Sequence, residues 1–254
     1  MIKVILSGCC GYMGHVITEI AAAEEDMEIV AGIDIAGQGD RPYPVFERAS
    51  DCDAQGDVLI DFSSPKALDG LLAFCTSRKI PAVFCTTGYT QEQMDKIKAA
   101  AKHTAVMKSA NMSLGVNLLL ELLKDAAKVL APAGFDVEVV EKHHNLKVDA
   151  PSGTALALAD SVNEALDNRY EYTYDRSKTR KRRDKHEIGI SSVRGGNIVG
   201  EHEVIFAGLD EVIEFKHTAY SKSVFAKGAV QAAKYLAGKP AGFYDMRDVV
   251  LGQS

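Results

Sequence analysis

The chain has 254 residues, 46% of them hydrophobic and 25% charged, with a formal net charge of −6, 21 glycines and no tryptophan. These proportions suit a globular protein of one large or two modest domains and exclude collagen, coiled coil and a disordered tail. A negative balance gives no general attraction to nucleic acid or to an anionic membrane, and no apolar run approaches the ~20 residues that span a bilayer. The start, MIKVILSGCC, reaches glycine before a secretory hydrophobic segment could form. Cys9, Cys10, Cys52, Cys75 and Cys85 are odd in number and include no C-x-x-C. Reduced thiols in a cytoplasmic protein are therefore expected, rather than a disulfide frame or a zinc knuckle.

In chain order, the apolar pattern predicts a strand over 2–6, a helix over 15–23, and strands over 28–33 and 58–62. A helix over 65–77, a strand over 82–85, a helix over 91–102 and a strand over 105–107 follow. Strand–helix repetition with nearly all-apolar strands is the pattern of a parallel sheet covered on both faces. It predicts an α/β fold with a Rossmann-like, doubly wound parallel sheet.

The pattern changes after Asn111. A long helix over 114–130 precedes a strand over 135–140, where Phe135, Val137 and Val139 face one way and Asp136 and Glu138 the other. A helix over 154–168, three strand-like runs between 187 and 218, and a final helix over 223–236 complete the chain. Consecutive strands with tight turns predict antiparallel pairing and a separate, inserted α+β domain. The expected division is 1–112 with 220–254 for one domain and 113–219 for the insertion.

Gly8-Cys9-Cys10-Gly11-Tyr12-Met13-Gly14 lies between the first strand and the first helix. Glycines there permit a tight turn and let backbone amides approach a pyrophosphate at the helix N-terminus. The spacing is G-x-x-G-x-x-G, with Cys10 where the dinucleotide pattern G-x-G-x-x-G has its second glycine. Asp34 stands twenty residues beyond Gly14, at the end of the second strand, where an acid can accept from a ribose hydroxyl. Ile35 and Ala36 follow, with no basic residue before Arg41, so a ribose phosphate would meet a carboxylate without a nearby cation. NADH is expected over NADPH. Asp61-Phe62-Ser63-Ser64-Pro65 and Cys85-Thr86-Thr87-Gly88 stand at further strand ends, where ligands bind in open α/β sheets. Cys85 is open to a catalytic reading, although a buried thiol acts mainly as a small hydrophobe.

The densest polar stretch is EKHHNLKVDAPSGT, residues 141–154. Paired histidines that can move protons near neutrality and a lysine precede Pro-Ser-Gly-Thr, which opens a helix. The amides of Gly153 and Thr154 with the charge of Lys147 suit an anion. Adjacent histidines on a strand point to opposite faces and no cysteine lies near, so no metal is expected.

The motifs GCCGYMG, DFSSP, CTTGY, SANMSLGVN, EKHHNLKVDAPSGTA, VRGGNIVGEHEVIF and GFYDMRDVV span nearly the whole chain in order. In these the chain resembles the 4-hydroxy-tetrahydrodipicolinate reductase (dihydrodipicolinate reductase) family, nicotinamide-dependent reductases of bacterial lysine biosynthesis. The resemblance implies a dinucleotide-binding domain and an inserted domain for substrate binding and tetramerisation. It implies His143 as proton donor, Lys147 as a second catalytic group, and His144, Gly153 and Thr154 as holders of a small dicarboxylate. Gly8, Cys9, Cys10, Gly11, Tyr12, Met13, Asp34, Cys85, Thr86, Thr87, Ser109, Ala110, Asn111 and Met112 correspond to cofactor contacts. Cys10 in the loop and Ile35, where some members place an arginine, depart from the family pattern and leave NADH or NADPH open.

Another dicarboxylate dehydrogenase of this architecture is the nearest alternative, and a non-catalytic dinucleotide sensor is one from a different class. The basic run over 177–185 raises nucleic-acid binding, but such runs are usually solvated loops. Near a substrate mouth it would instead add positive potential for a dianion.

Overall fold

A computed structural model describes residues 1–174, 176–177 and 180–252. The elements in chain order begin with β1 (Ile2–Ser7), α1 (Tyr12–Ala22), β2 (Met27–Ile33), β3 (Val45–Phe46), β4 (Val58–Asp61) and α2 (Leu68–Arg78). Next come β5 (Ala82–Phe84), α3 (Gln91–Ala100), β6 (Ala105–Lys108), α4 (Leu114–Leu130), β7 (Asp136–His143), α5 (Gly153–Ala165) and β8 (Glu171–Thr173). The chain ends with β9 (Glu187–Arg194), β10 (Gly200–Ala207), β11 (Val212–Ala219), α6 (Ser223–Leu236), β12 (Gly242–Tyr244) and α7 (Met246–Leu251). Two compact units result: Met1–Ser113 with Ser223–Ser254, and Leu114–Lys222. No helix among the described residues is long and apolar enough to cross a membrane.

The first unit is built on a seven-stranded sheet in the order β12-β6-β5-β4-β1-β2-β3, with every pair parallel. Val4, Ile5, Leu6, Val58, Leu59, Ile60, Ala82, Val83 and Phe84 are fully buried, as strands covered on both faces must be. The strand order reverses between β1 and β4, the switch point beside which open α/β sheets bind ligands. The C-terminal segment belongs to this unit: β12 pairs with the β6 edge, and Lys234 of α6 bridges Glu24 (2.7 Å) and Asp26 (2.6 Å) after α1.

The second unit has a mixed sheet in the order β11-β10-β7-β9-β8. The antiparallel expectation holds for β10 with β11 but not for β9 with β10. β7 lies between those two, parallel to β9 and antiparallel to β10. The cause is α5, a crossover helix that returns the chain parallel to β7. Val137, Val139, Ile188, Ile190, Val204 and Phe206 pack against Leu119, Leu123, Leu158 and Val162 of α4 and α5. This apolar layer fixes which sheet face turns inward.

Candidate active site

In the first unit, the loop after β1 is shaped by glycines that nothing larger could replace. Gly8 has φ +78°, and a Cβ there would stand 2.5 Å from the Phe62 carbonyl oxygen. A Cβ on Gly14 would stand 2.4 Å from the carbonyl oxygens of Gly8 and Cys9. Cys10 is not among the residues with positive φ, so a side chain is accommodated where the usual pattern has glycine. No side chain caps α1 at Gly11, which leaves its first-turn amides and partial positive charge for a ligand. Asp34, just past β2, accepts from the Cys10 amide at 2.9 Å and from the Ala36 amide at 3.0 Å.

A cavity of about 890 Å³ opens at these strand ends, lined by Gly8, Gly11, Asp34, Ser63, Arg48 and Lys66 among others. Arg48 and Lys66 were not foreseen. They lie far from Asp34 in sequence, and only the fold brings them into one cavity; Arg48 also pairs with Asp51 at 2.8 Å. Ile35 is 92% exposed, and Arg41 lies against the His15 ring. Fully buried Asp61 accepts from the Ser63 hydroxyl (2.5 Å) and the Tyr89 hydroxyl (3.1 Å), setting the turn over Gly8. Cys85, Thr86 and Thr87 follow β5, and Ser109, Ala110, Asn111 and Met112 follow β6, at the same carboxyl edge but outside the cavity lining. Burial pushes the Cys85 thiol well up, with the Asp61 charge adding to it. It is therefore a neutral packing group rather than a nucleophile. Burial, with the Cys10 thiol beside it, pushes Cys9 up to about 12.

In the second unit the polar residues gather at one end of the inward sheet face. Alternation along β7 carries Val137 and Val139 on to Glu141 and His143, and Glu141 is paired in register with Ser192 of β9 and His202 of β10. Glu141 is fully buried. Its carboxylate accepts two bonds from the Arg194 guanidinium (2.7 Å each) and one from the Ser152 amide (3.1 Å), and its Oε2 is 2.6 Å from His143 Nδ1. Burial alone would raise this carboxyl, but hydrogen bonds from Arg194, Ser192, His143 and Ser152 bring it to about 2. A carboxylate at Nδ1 orients the ring and leaves Nε2 on its opposite edge. Nε2 is directed toward Gly200, where a Cβ would come within 3.2 Å.

Ser152 caps α5 by accepting from the Ala155 amide (3.2 Å), and its hydroxyl is 3.0 Å from His202 Nε2. Gly153 and Thr154 form the first turn of that helix. His143 and His202 meet edge to face with ring centres 5.0 Å apart. Burial, followed by the charge of His143, lowers His202 to about 4, so it is neutral at pH 7. Lys147 Nζ is 2.8 Å from Asp149 Oδ1 and only partly exposed; this contact holds the Asp149 carboxyl below its usual range. His144 lies just past β7, its carbonyl accepting from the Lys147 amide at 3.2 Å.

Arg183 of the basic run lies elsewhere. It is bound to Asp136 (2.9 Å), Glu138 (3.0 Å) and the Val137 carbonyl (2.7 Å) at the start of β7. At ~3.3 Å per residue, that is roughly 23 Å along the strand from His143. Arg183 is thus a clamp on the sheet and not a cation for the histidine end; Arg180, Lys181 and Arg182 are exposed, and Lys178 and Thr179 lie outside the described residues. Among the described residues, the one group of three potential metal ligands is Cys9, Cys10 and Asp34, not the histidines.

Comparison with known proteins matches the two halves to successive models. Residues 2–112 match "Dihydrodipicolinate reductase, N-terminus" and residues 115–250 match "Dihydrodipicolinate reductase, C-terminus". The chain is 48% identical over 246 residues to the 4-hydroxy-tetrahydrodipicolinate reductase of Clostridium tetani, covering 97% of this chain and 96% of that one. It is 50% identical over 250 residues to that of Clostridium novyi, covering 98% of both. Among solved structures, a dipicolinate-bound dihydrodipicolinate reductase from Paenisporosarcina sp. TG-14 superposes with a TM-score of 0.80 at 23% identity. That superposition covers 96% of this chain and 97% of the other, and establishes a common fold.

Proposed function

The chain belongs to the dihydrodipicolinate reductase family, and on that premise we propose which of its residues carry the reaction. As a member it is an NAD(P)H-dependent oxidoreductase that reduces 4-hydroxy-tetrahydrodipicolinate in lysine and diaminopimelate biosynthesis.

A dinucleotide fits the first unit: the left-handed Gly8, the uncapped α1 amides, Asp34 and the adjoining cavity are what such a ligand requires. Gly8 to Met13 hold its pyrophosphate and Asp34 its ribose, with Cys85 to Thr87 and Ser109 to Met112 at the neighbouring strand ends. When bound, NAD(P)H supplies a hydride to the conjugated imine ring. NADH is preferred, because Asp34 accepts from ribose hydroxyls and repels a phosphate. Arg48 and Lys66 offset part of that repulsion and leave NADPH usable.

The observation that carries the catalytic assignment is Glu141, buried with Arg194 and the Ser152 amide on one side and His143 Nδ1 on the other. His143 protonates the reduced ring from Nε2. Lys147 assists as acid or charge partner, while His144 and the α5 amides of Gly153 and Thr154 hold a carboxylate. The outer face of the five-stranded sheet, where Val193 is 44% exposed, is the surface for association into a tetramer. Five free thiols suit a reducing, cytoplasmic setting.

The test is NADH and NADPH consumption with freshly made product of the preceding synthase. His143→Ala and Lys147→Ala should each lose ~10²–10⁴-fold in turnover, the range for general acid–base groups, with NADH affinity retained. Near-normal turnover in either variant removes that residue from the scheme.

A further inference from the structure

Beside the cofactor loop, three metal-ligating side chains from two segments converge. Cys9 Sγ and Cys10 Sγ stand 3.9 Å apart, and with a carboxylate oxygen of Asp34 all three ligand atoms lie within 4.8 Å of one another. Two sulfurs held tetrahedrally at a zinc–sulfur distance of ~2.3 Å are ~3.8 Å apart, so the thiols already stand at the edge length of such a site. Packing sets this spacing. Cys9 is wedged against β2, where a Cβ on Gly32 would come within 2.5 Å of its Sγ, and Cys10 Sγ is turned to the Gly37 carbonyl at 3.5 Å. Asp34 is aimed at the same loop by its bond from the Cys10 amide.

A disulfide is the poorer way to join these sulfurs. Neighbouring Cα atoms across a trans peptide are ~3.8 Å apart, short of the ~4.4–6.8 Å that disulfides span. We propose that Cys9, Cys10 and Asp34 form a binding site for a soft divalent cation of the zinc and cadmium class, whose occupancy excludes the dinucleotide. Two sulfurs and one carboxylate oxygen leave a fourth, water-filled position, a set that suits zinc-like ions and not Mg²⁺, which demands octahedral oxygen ligands. On binding, the cation displaces both thiol protons to solvent. The cation takes one Asp34 oxygen and neutralises the charge that a ribose hydroxyl would meet, so the two ligands compete for this carboxylate. The exclusion rests on the dinucleotide reading of this loop; the cation site does not.

The experiment is titration of the full chain, free of cofactor, with Cd²⁺ alone, followed by thiolate-to-cadmium ultraviolet absorption. The expected signal saturates at one equivalent, is lost in Cys10→Ser, weakens at least tenfold in Asp34→Asn and persists in Cys75→Ser. Saturating NADH should raise the apparent Cd²⁺ dissociation constant at least tenfold. A wild-type signal in Cys10→Ser overturns the site, and a titration unmoved by NADH overturns the exclusion. NADH binding is measured separately by its fluorescence without Cd²⁺. A chain that takes no NADH contradicts the cofactor reading and the exclusion with it, while Cys10→Ser still decides the cation site.

Discussion

Glu141 joins three parts of the second unit through one carboxylate: Arg194 at the end of β9, the α5 cap at Ser152, and His143 on its own strand. With His143 as the proposed proton donor, Glu141 would act through that ring, as a positioning residue. Glu141→Gln keeps the shape but loses the charge that orders the imidazole and answers Arg194. Turnover should fall ~10–100-fold, as for carboxylates that orient a functional histidine, with NADH affinity unchanged. Stability should fall by about 3 kcal/mol, the low end for breaking a buried pair, because Arg194 is partly exposed. Urea unfolding and steady-state kinetics check the two effects, and unchanged kcat would remove Glu141 from the catalytic account. This residue was within reach of the sequence: the alternation of Val137 and Val139, continued past 140, puts Glu141 and His143 on the inward face. Arg194 was not, because 53 residues separate it from Glu141 and no local pattern marks the pairing.

At the scale of elements, the long periodic segments were legible. The helices expected over 114–130 and 223–236 are α4 and α6, and the apolar runs are the parallel strands. β3, β8 and β12 are strands of two or three residues that exist through pairing with a neighbour, a tertiary cause that periodicity does not carry. The parallel β7–β9 pair escaped for the same reason: the turn residues 194–197 signal a reversal but not its partner. The polar end of this sheet gives a pH-dependent stability. His202 is faced by His143, Glu141, His217 and Lys147. Its folded-state value of about 4 lies below the ordinary 6.5, so between those values the unfolded chain binds more protons. Stability therefore falls as pH drops from 6.5 to 4. The Glu141 contribution is present above its ordinary 4.5 and is lost toward about 2. The urea midpoint should drop between pH 7 and pH 4.5 in the wild type and drop less in His202→Gln. Equal drops in both would contradict this. In the apolar layer, Leu158→Ala should cost about 2–5 kcal/mol, the range for emptying a packed leucine site; a loss under 1 kcal/mol in urea unfolding would mean that the site collapses.

Across the whole molecule, a net charge of −6 conceals local cations on each unit. Arg48 and Lys66 share a cavity with Asp34, which the reading based on the spacing from Asp34 to Arg41 missed. Turnover is expected with both cofactors, with a lower KM for NADH. Arg48→Ala with Lys66→Ala should raise the KM for NADPH at least tenfold more than that for NADH. Equal changes would place both cations away from the ribose. The two halves each match one model of the same family, so the family was legible through motifs. The buried ion-pair network that orders the histidine required the folded sheet.

The measurement that bears most directly on His143 as proton donor is reduction of the substrate by His143→Ala at saturating NADH, with and without added imidazole. A rate ~10²–10⁴-fold below wild type, partly restored by imidazole and with NADH affinity intact, is the predicted result. A rate close to wild type, or a loss that imidazole leaves unchanged while the variant remains folded, would contradict it.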